Sequence, residues 1–307
     1  MNWHRCFKGK IKSGEPLKRH TTFKIGGKAR FFVEPEDTDD LKLLLSLRNK
    51  IPLYVIGKGS NILASDKGTS GIVLRLSAPA FKKLSCCGKY LEAGSGVLLT
   101  KALLFAGGHG LSGMEFLAGI PGTLGGALAM NAGISEKIPN PKSQIPNRKT
   151  KTRSIGDLVE DVIVMDYNGN IKALPKKDIK FSYRESGLAK YIILSARLKL
   201  ARGNKTKIQE RIKKYINYRK GTQDLTGPSA GCVFRNPEGD SAGRLMDLCG
   251  LKGRRVEDAC ISSKHANFIL NLGDGKAGDV LKLMDLARRK VKDRFNIILK
   301  PEIKIWH

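Results

Sequence analysis

The sequence predicts a mixed α and β protein of two or three domains. Its 307 residues are too many for one small core. Short apolar runs of strand type, such as residues 53–56 and 72–76, occur beside an amphipathic helical run at residues 39–50. Glycine-rich stretches at 57–61 and 107–133 interrupt this pattern. Such stretches are typical of turns at which the backbone meets a ligand or a neighbouring strand.

Residues 1–76 predict a small α/β unit. Its helix, residues 39–50, carries acidic residues at its start and basic residues at its end, and Pro52 follows it. Its predicted strands are residues 31–33, 53–56 and 72–76.

The rest of the chain predicts further strands and helices in alternation. Asn168-Gly169 lies between two apolar runs and predicts a hairpin. The predicted strands after residue 90 are a short one from 91, then 162–165, 171–174, 191–200, 261, 268–270, 297–299 and 303–305. The predicted helices are 97–105, 208–219, 242–249 and 278–295. Residues 134–156 have three prolines and no periodicity, which predicts a mobile surface insertion.

Composition excludes several classes of protein. No apolar run approaches the roughly 20 residues that span a membrane, and the N-terminus lacks the apolar segment of a secretory signal. A cytoplasmic protein is therefore expected. The six cysteines form no C-x-x-C pair, so neither a zinc site nor a redox dithiol is indicated.

The formal net charge of +28 indicates anionic partners. The charge is spread along the chain: residues 1–30 and residues 199–220 each carry nine Lys or Arg against one Glu. No basic motif interleaved with aromatic residues occurs, so weak nonspecific binding of nucleic acid is favoured over specific binding. Small anionic ligands give the charge a second use.

The stretch from Gly107 to Gly133 holds nine glycines. Ordering so much glycine costs backbone entropy, which predicts positive φ angles or a close approach to the backbone. Residues 119–126 predict a turn that leads into a short helix, whose N–H groups are able to face an anion. A buried turn packed against a neighbouring strand is the structural alternative, and this stretch alone does not favour either.

Gly57-Lys58-Gly59-Ser60-Asn61 directly follows a predicted strand. The composition resembles a phosphate-binding loop, although the spacing matches neither standard nucleotide motif. A simple turn at the end of the strand is the alternative. Two such glycine loops in one chain favour a dinucleotide that contains a pyrophosphate.

Six motifs occur in the order found in UDP-N-acetylenolpyruvoylglucosamine reductases, the MurB family, which the chain resembles over residues 20–305. No single motif is specific, but their order is. The motifs are Thr22-Phe23-Lys24-Ile25-Gly26-Gly27, Gly57-Lys58-Gly59-Ser60-Asn61, Gly119-Ile120-Pro121-Gly122-Thr123 with Met130-Asn131-Ala132-Gly133, Tyr183-Arg184-Glu185-Ser186, Ser229 to Pro237, and Pro301-Glu302-Ile303. The chain resembles the shorter subtype, which lacks an extra tyrosine-bearing loop.

The resemblance implies an α+β protein with a two-subdomain FAD-binding module of the vanillyl-alcohol-oxidase (PCMH) type and a C-terminal α+β substrate domain. The implied module is residues 1–203, with subdomains at about 20–78 and 79–203, and the implied substrate domain is residues 204–307. The implied reaction is the NADPH-dependent reduction of UDP-N-acetylglucosamine enolpyruvate to UDP-N-acetylmuramate, a step of peptidoglycan synthesis. FAD would transfer hydride from N5 to the β-carbon, and protein groups would supply a cation and a proton.

Three residues match the family's catalytic positions. Arg184 would stabilise the negative charge that develops on the substrate, since a guanidinium binds a carboxylate through two hydrogen bonds. Glu302, on the last strand at about 297–307, would hold the substrate carboxylate or relay a proton. Cys232 stands where the family usually has serine, and its lower pKa makes it an easier proton donor to the α-carbon. A buried structural thiol is the alternative for Cys232.

The remaining matches concern binding. The FAD contacts implied by the resemblance are Thr22, Ile56, Gly57, Lys58, Gly59, Ser60, Asn61, Gly119, Ile120, Pro121, Gly122, Thr123, Gly125, Gly126, Ala127, Asn131, Ala132 and Gly133. The candidate substrate contacts are Tyr183, Arg184, Gly231, Arg235, Asn236, Lys264, His265 and Asn267.

Two other classes of protein fit part of the pattern. Another PCMH-type flavin oxidoreductase, acting on a small alcohol, would often bind its flavin covalently through His or Cys. His109 lies outside the cofactor motifs, so noncovalent FAD is expected. A basic nucleic-acid-binding protein is the second alternative. We expect a monomer that binds NADPH and the UDP-sugar, without a metal.

Overall fold

The computed structural model describes residues 7–48, 51–137 and 150–307. Its contacts divide the chain into two compact units. The first unit comprises the described parts of Met1–Pro35, Leu47–Arg75 and Tyr218–His307. The second unit comprises the described parts of Glu36–Ser46 and Leu76–Asn217. The functional division expected at residue 203 stays a prediction.

The described residues contain strands and helices in alternation. The strands are β1 (Lys10–Pro16), β2 (Lys28–Glu34), β3 (Leu53–Val55), β4 (Ile62–Ala64), β5 (Thr69–Leu74), β6 (Leu84–Cys87), β7 (Tyr90–Gly94), β8 (Leu111–Ser112), β9 (Gly133–Lys137), β10 (Thr150–Ser154), β11 (Val159–Met165), β12 (Ile171–Pro175), β13 (Phe181–Ser182), β14 (Glu185–Ser186), β15 (Ile192–Lys199), β16 (Ala201–Arg202), β17 (Arg255–Val256), β18 (Ala259–Ile261), β19 (Ile269–Asn271) and β20 (Lys304–Trp306). The α-helices are α1 (Thr38–Leu47), α2 (Leu99–Gly108), α3 (Leu124–Ala129), α4 (Lys205–Thr222), α5 (Ala242–Leu248) and α6 (Ala277–Phe295).

A four-stranded sheet of order β1-β2-β5-β3 begins the first unit. Strands β2, β5 and β3 run parallel, and β1 pairs antiparallel with β2 at the edge. Parallel strands direct their carboxyl ends to one edge of a sheet, where ligands of α/β proteins commonly bind. The loop 57–61 follows β3 at that edge.

The C-terminal part of the first unit packs α5 and α6 on a small sheet of order β17-β18-β19. Helix α6 buries Val280, Leu283 and Ala287 at helical spacing. It ends at Asn296, which adopts the left-handed conformation common at helix ends. The same core includes Phe23 from the N-terminal part of the chain. This shared core explains why the chain ends belong to one unit.

The second unit is built on an antiparallel sheet of order β12-β11-β15-β7-β6. Its core includes apolar residues of this sheet, of α2 and of the glycine-rich stretch. Helix α1 begins after Asp37, whose carboxylate accepts hydrogen bonds from the N–H groups of Asp39 and Asp40.

Most predicted elements are present, with bounds that differ by a few residues. The hairpin expected at Asn168-Gly169 is formed by β11 and β12, and Gly169 has a φ of 88°. Helix α2 begins at Leu99 rather than residue 97, because Leu98 forms an antiparallel bridge with Thr123 of the glycine-rich stretch.

The structure differs from the predictions in several places. Strand β1 was not predicted, although it pairs with β2 over its length. Residues 297–299 do not form a strand, because Asn296 turns the chain and buried Leu299 packs as irregular backbone. The expected surface insertion, residues 134–156, contains regular structure in its described parts, since β9 and β10 pair antiparallel. Its residues 138–149 lie outside the described ones.

The described residues contain no helix long and apolar enough to cross a membrane. Within the same parts of the chain, His, Cys, Asp and Glu side chains form no group of three or more that could hold a metal ion.

Candidate active site

The loop 57–61 of the first unit is fixed by the neighbouring strand β5 and by packing against the N-terminal segment. The N–H of Ile56 donates to the carbonyl of Leu74, 2.9 Å away, which continues the pairing of β3. Gly59 has a φ of +68°, and a Cβ there would lie 2.1 Å from the carbonyl oxygen of His20. Glycine is therefore required at 59 by both backbone conformation and packing.

The start of this loop suits an anion. Among the described residues, the N–H groups of Gly57 and Lys58 donate to no protein acceptor. Gly57 is half-buried and Lys58 is exposed, so both N–H groups and the ammonium group are available to a phosphate. These residues fit a bound pyrophosphate.

Thr22 joins this loop to the C-terminal part of the unit. Its N–H donates to the carbonyl of Gly59 at 3.1 Å, and its hydroxyl donates to the carbonyl of Ser229 at 2.7 Å. Thr22 therefore places the predicted cofactor loop beside the segment that leads to Cys232.

The segment 232–235 lies between two other chain segments. On one side, the N–H of Val233 donates to the carbonyl of Asn267 at 2.9 Å, and Cys232 forms a bridge with Phe268. On the other side, the N–H of Glu302 donates to the carbonyl of Val233 at 2.8 Å. Glu302 is thus bonded directly to Val233, the residue that follows Cys232. This contact brings the backbones of two predicted catalytic residues close together.

Glu302 also adjoins the loop 57–61. The Asn61 side-chain amide donates to the carbonyl of Glu302 at 3.2 Å, and the N–H of Lys304 donates to the carbonyl of Asn61 at 2.9 Å. These bonds lead into the parallel pairing of β20 with β4. Long-range pairing of the last strand with the fourth therefore brings Glu302 to the predicted cofactor loop.

The candidate substrate residues of this unit occupy different environments. Gly231 has a φ of +75° with open space around the Cβ position, so a ligand is able to approach its backbone. Asn236 is exposed, and its side-chain oxygen accepts from the N–H of Ala242 at the start of α5. Lys264 is exposed and donates from Nζ to the carbonyl of Lys220.

His265 and Asn267 are more enclosed. Burial lowers the pKa of His265, which favours the neutral imidazole. Its ring lies 4.9 Å from that of Phe268, and its Nδ1 accepts from the N–H of Asn267. Asn267 is only 1% exposed, and its side-chain amide bonds to the backbone of Phe234.

A buried carboxylate that the sequence did not indicate supports this region. The Ser262 hydroxyl donates to Asp224 at 2.5 Å and accepts from the N–H groups of Lys264 and His265. Burial raises the pKa of Asp224, but the hydrogen bonds from Ser262 and Thr226 outweigh it, so the pKa is lowered overall. Small polar residues in loops give no distinctive sequence signal, so this network was missed.

The glycine-rich stretch belongs to the second unit. Thr123 caps α3, and its side chain accepts from the N–H of Gly126 at 3.3 Å. A Cβ at Gly125 would lie 2.8 Å from Cβ of Ser95, and one at Gly133 would lie 2.0 Å from the carbonyl oxygen of Arg153. At these two positions close protein packing requires glycine.

Other positions of the stretch leave room for a ligand. Gly119 and Pro121 are exposed, and Ile120 and Gly122 are half-buried. At Gly126, the nearest atom to an added Cβ is the Thr123 hydroxyl oxygen at 3.5 Å. Residues 119–126 therefore present a partly exposed turn that fits a cofactor.

The end of this stretch anchors a hairpin made of β13 and β14. Asn131, 6% exposed, donates from its side-chain amide to the carbonyl of Ser182 at 2.8 Å and accepts from the N–H of Gly156 at 3.0 Å. The Ser186 hydroxyl donates to the carbonyl of Ala129 at 3.1 Å. Both strands of the hairpin are thus tied to the C-terminal end of α3.

Tyr183 and Arg184 form the two-residue loop of this hairpin. Arg184 has a φ of 56°, a conformation in which glycine is unstrained and other residues are uncommon. Its guanidinium carbon lies 5.1 Å from the centre of the Tyr183 ring, which is a cation–π contact. Backbone strain at a half-buried arginine is a feature of functional sites.

Two domain models match this architecture. Residues 29–139 match the FAD binding domain, and residues 222–306 match the UDP-N-acetylenolpyruvoylglucosamine reductase C-terminal domain. The fold and the glycine loops therefore define a flavoprotein with a C-terminal reductase domain, which confirms the predicted fold class and cofactor.

Relatives match nearly the whole chain. UDP-N-acetylenolpyruvoylglucosamine reductase 2 of Symbiobacterium thermophilum is 39% identical over 97% of this chain and 92% of its own. The reductase of Caldanaerobacter subterraneus is 40% identical over 97% and 94%. The crystal structure of the reductase (MurB) from Thermus caldophilus has a TM-score of 0.79 at 35% identity and covers 98% of this chain and all of the other. The chain belongs to the UDP-N-acetylenolpyruvoylglucosamine reductase family.

Proposed function

We propose that this chain reduces the enolpyruvyl ether of UDP-N-acetylglucosamine to UDP-N-acetylmuramate, with Cys232 as the proton donor. The single observation that carries this assignment is the hydrogen-bonded adjacency of the Cys232 and Glu302 segments beside the loop 57–61. Family membership supports the reaction, and NADPH is the proposed reductant.

The protein supplies binding, charge and one proton. A bound FAD would supply the hydride chemistry, between the nicotinamide and the β-carbon of the enolpyruvyl group. The N–H groups of Gly57 and Lys58 would bind the pyrophosphate of the cofactor, and the partly exposed residues 119–122 are the second proposed cofactor contact. The C-terminal segment around Gly231 approaches the substrate.

Arg184 and Cys232 act on the developing negative charge. The Arg184 guanidinium binds the substrate carboxylate and stabilises the charge that builds on it and on the α-carbon. The Cys232 thiol then donates its proton to the α-carbon, which completes the reduction of the double bond. Glu302 holds the substrate carboxylate or relays a proton.

The finer partner assignments follow from the same proposal. The ligands are anionic, and the net charge of +28 steers them towards the protein. We propose a cytoplasmic monomer that takes hydride from NADPH, binds FAD noncovalently, and has neither a specific nucleic-acid partner nor a membrane partner. Sedimentation tests the oligomeric state, and acid precipitation, which should release the flavin from the protein, tests noncovalent binding.

Anaerobic stopped-flow absorbance tests the donor role. In Cys232→Ala, NADPH should bleach the flavin bands at the wild-type rate, because no proton donor is needed in that step. Return of the bands on addition of the enolpyruvyl UDP-sugar should slow by about 100-fold or more. Cys232→Ser should retain part of the rate, since a hydroxyl also carries a proton.

Cys260→Ala is the matched control. Cys260 is a half-buried thiol of the same unit, in strand β18, and its pKa is raised by burial. Its loss should leave both steps at the wild-type rate. Unchanged band return in Cys232→Ala would overturn the donor role, whatever the control shows.

A further inference from the structure

We infer that Asn267 is a positioning residue that sets the register of the Cys232 segment against the Glu302 segment, rather than a contact to the substrate. This inference rests on the proposed function for its catalytic consequence. It deepens that proposal by naming what fixes the donor in place.

The side-chain amide of Asn267 binds both backbone groups of one residue. Its oxygen accepts from the N–H of Phe234 at 2.9 Å, and its nitrogen donates to the carbonyl of Phe234 at 2.8 Å. The amide thus takes the place of a neighbouring peptide group, because it offers one donor and one acceptor in the same plane.

The backbone of Asn267 adds a third bond to the same segment. Its carbonyl accepts from the N–H of Val233 at 2.9 Å. Asn267 therefore fixes two consecutive residues directly after Cys232. Regular strand pairing does not fix these two residues on the side of Asn267, since the Cys232–Phe268 contact is an isolated bridge.

The opposite edge of the segment faces the residues around Glu302. The carbonyl of Val233 accepts from the N–H of Glu302 at 2.8 Å, and the N–H of Arg235 donates to the carbonyl of Lys300 at 2.9 Å. A shift of the segment by one residue would break these bonds together with those to Asn267. The amide of Asn267 and the Glu302 backbone thus clamp the segment from both sides.

Burial assigns the amide to this role. Asn267 is 1% exposed, and both heteroatoms of its side chain bond to Phe234. A diphosphate or a sugar could use this amide only by displacing Phe234, which would leave buried backbone groups unsatisfied.

Asn267→Asp and Asn267→Ser separate the two roles. The aspartate has the same shape but sets a carboxylate oxygen against the carbonyl of Phe234, and the serine is too short to bridge both groups. We expect reoxidation by the enolpyruvyl substrate to slow by about 100-fold, as a small misplacement of a reacting group produces. The dissociation constant for the substrate should stay within experimental scatter of wild type.

Alkylation of Cys232 gives a readout that does not depend on turnover. The FAD-loaded enzyme, without substrate, is treated with iodoacetamide, and the rate at each cysteine is measured by peptide mass spectrometry. Both variants should change the rate at Cys232 and leave the rate at Cys260 unchanged.

Asn271→Asp is the matched control. Asn271 is 3% exposed in the same unit, and its amide bonds to the carbonyl of Phe23 and the N–H groups of Gly273 and Gly275. Like Asn267→Asp, this variant replaces one buried amide donor by a carboxylate oxygen and keeps the bonds that the other oxygen accepts, but it does not touch residues 232–234. It should leave both Cys232 alkylation and reoxidation as in wild type.

The outcomes are distinguishable. A raised substrate dissociation constant with unchanged Cys232 alkylation would overturn the positioning role and assign Asn267 to substrate binding. Wild-type alkylation and reoxidation in both variants would also overturn it. Unchanged reoxidation in Cys232→Ala would instead overturn the donor role, and the alkylation rates would still decide whether Asn267 fixes the segment.

Discussion

The hairpin that carries Arg184 and the segment that carries Cys232 are positioned in opposite ways. The hairpin has two short strands, an exposed Tyr183 and a strained arginine in its loop. The Cys232 segment is clamped along its backbone on both sides, and Val233 and Phe234 are fully buried. The hairpin is built to present a long side chain, and the segment is built to fix a backbone.

A buried asparagine nevertheless anchors each of them. Asn131 bonds to Ser182 beside the hairpin loop, and Asn267 bonds to Phe234 beside Cys232. An asparagine side chain is able to satisfy one backbone donor and one backbone acceptor where no strand is available. The two segments that carry the proposed catalytic residues Arg184 and Cys232 are thus fixed by side-chain amides rather than by further strands of a sheet.

The largest effect is expected for Arg184→Gly. Reoxidation by the enolpyruvyl substrate should slow by about 100- to 1,000-fold, because the proposed role of Arg184 is that of a preorganised cation beside the developing charge. The thermal unfolding midpoint should not fall, since glycine relieves the positive φ at 184.

Arg184→Lys is the control for that experiment, because it keeps both a charge and the strained backbone. It should recover part of the rate without a gain in stability. A clear loss of stability in Arg184→Gly would show that the arginine side chain stabilises the hairpin. It would contradict the conclusion that the hairpin only presents this side chain.

Asn131→Ala should lower the free energy of unfolding by about 3 kcal/mol, because the buried N–H of Gly156 loses its acceptor and the partly buried bond to the carbonyl of Ser182 is lost as well. Urea unfolding measures this loss. Ser186→Ala removes one bond from the other strand of the hairpin and should cost only about 1 kcal/mol. Equal losses would contradict a central role for Asn131.

Asp66→Ala tests stability of the first unit away from Cys232. The Asp66 carboxylate accepts from the N–H groups of Ala277 and Gly278 at the start of α6. Loss of this cap should lower the free energy of unfolding by about 1 kcal/mol. Urea unfolding checks this, and alkylation of Cys232 should remain at the wild-type rate. A changed alkylation rate would mean that the segment responds to any loss of stability.

The smallest effect concerns His265, beside Asn267. Burial lowers its pKa below the ordinary value of about 6.5, so the unfolded chain binds its proton more readily than the folded chain. This contribution to stability is complete above about pH 6.5 and is lost as the pH falls towards the folded pKa. His265→Gln should flatten that part of the pH profile of unfolding. Identical pH profiles of unfolding for wild type and His265→Gln would contradict a lowered pKa of His265.

The sequence by itself determined the family, the fold class and most of the helices and strands. Amphipathic spacing located α1 and α6, because burial of one face repeats at the helical period. The order of the short motifs identified the reductase family, since six motifs in one order are far more specific than any one of them. Asn168-Gly169 predicted its hairpin because a tight turn needs positive φ angles.

The tertiary structure decided which residues those motifs touch. Cys232 and Glu302 are 70 positions apart, and backbone hydrogen bonds between residues 233–235 and 300–302 bring their segments together. Gly125 and Gly133 proved to be required by protein packing, and the amides of Asn131 and Asn267 by backbone hydrogen bonds. Such contacts join segments that are far apart in the sequence, so the local composition does not predict them.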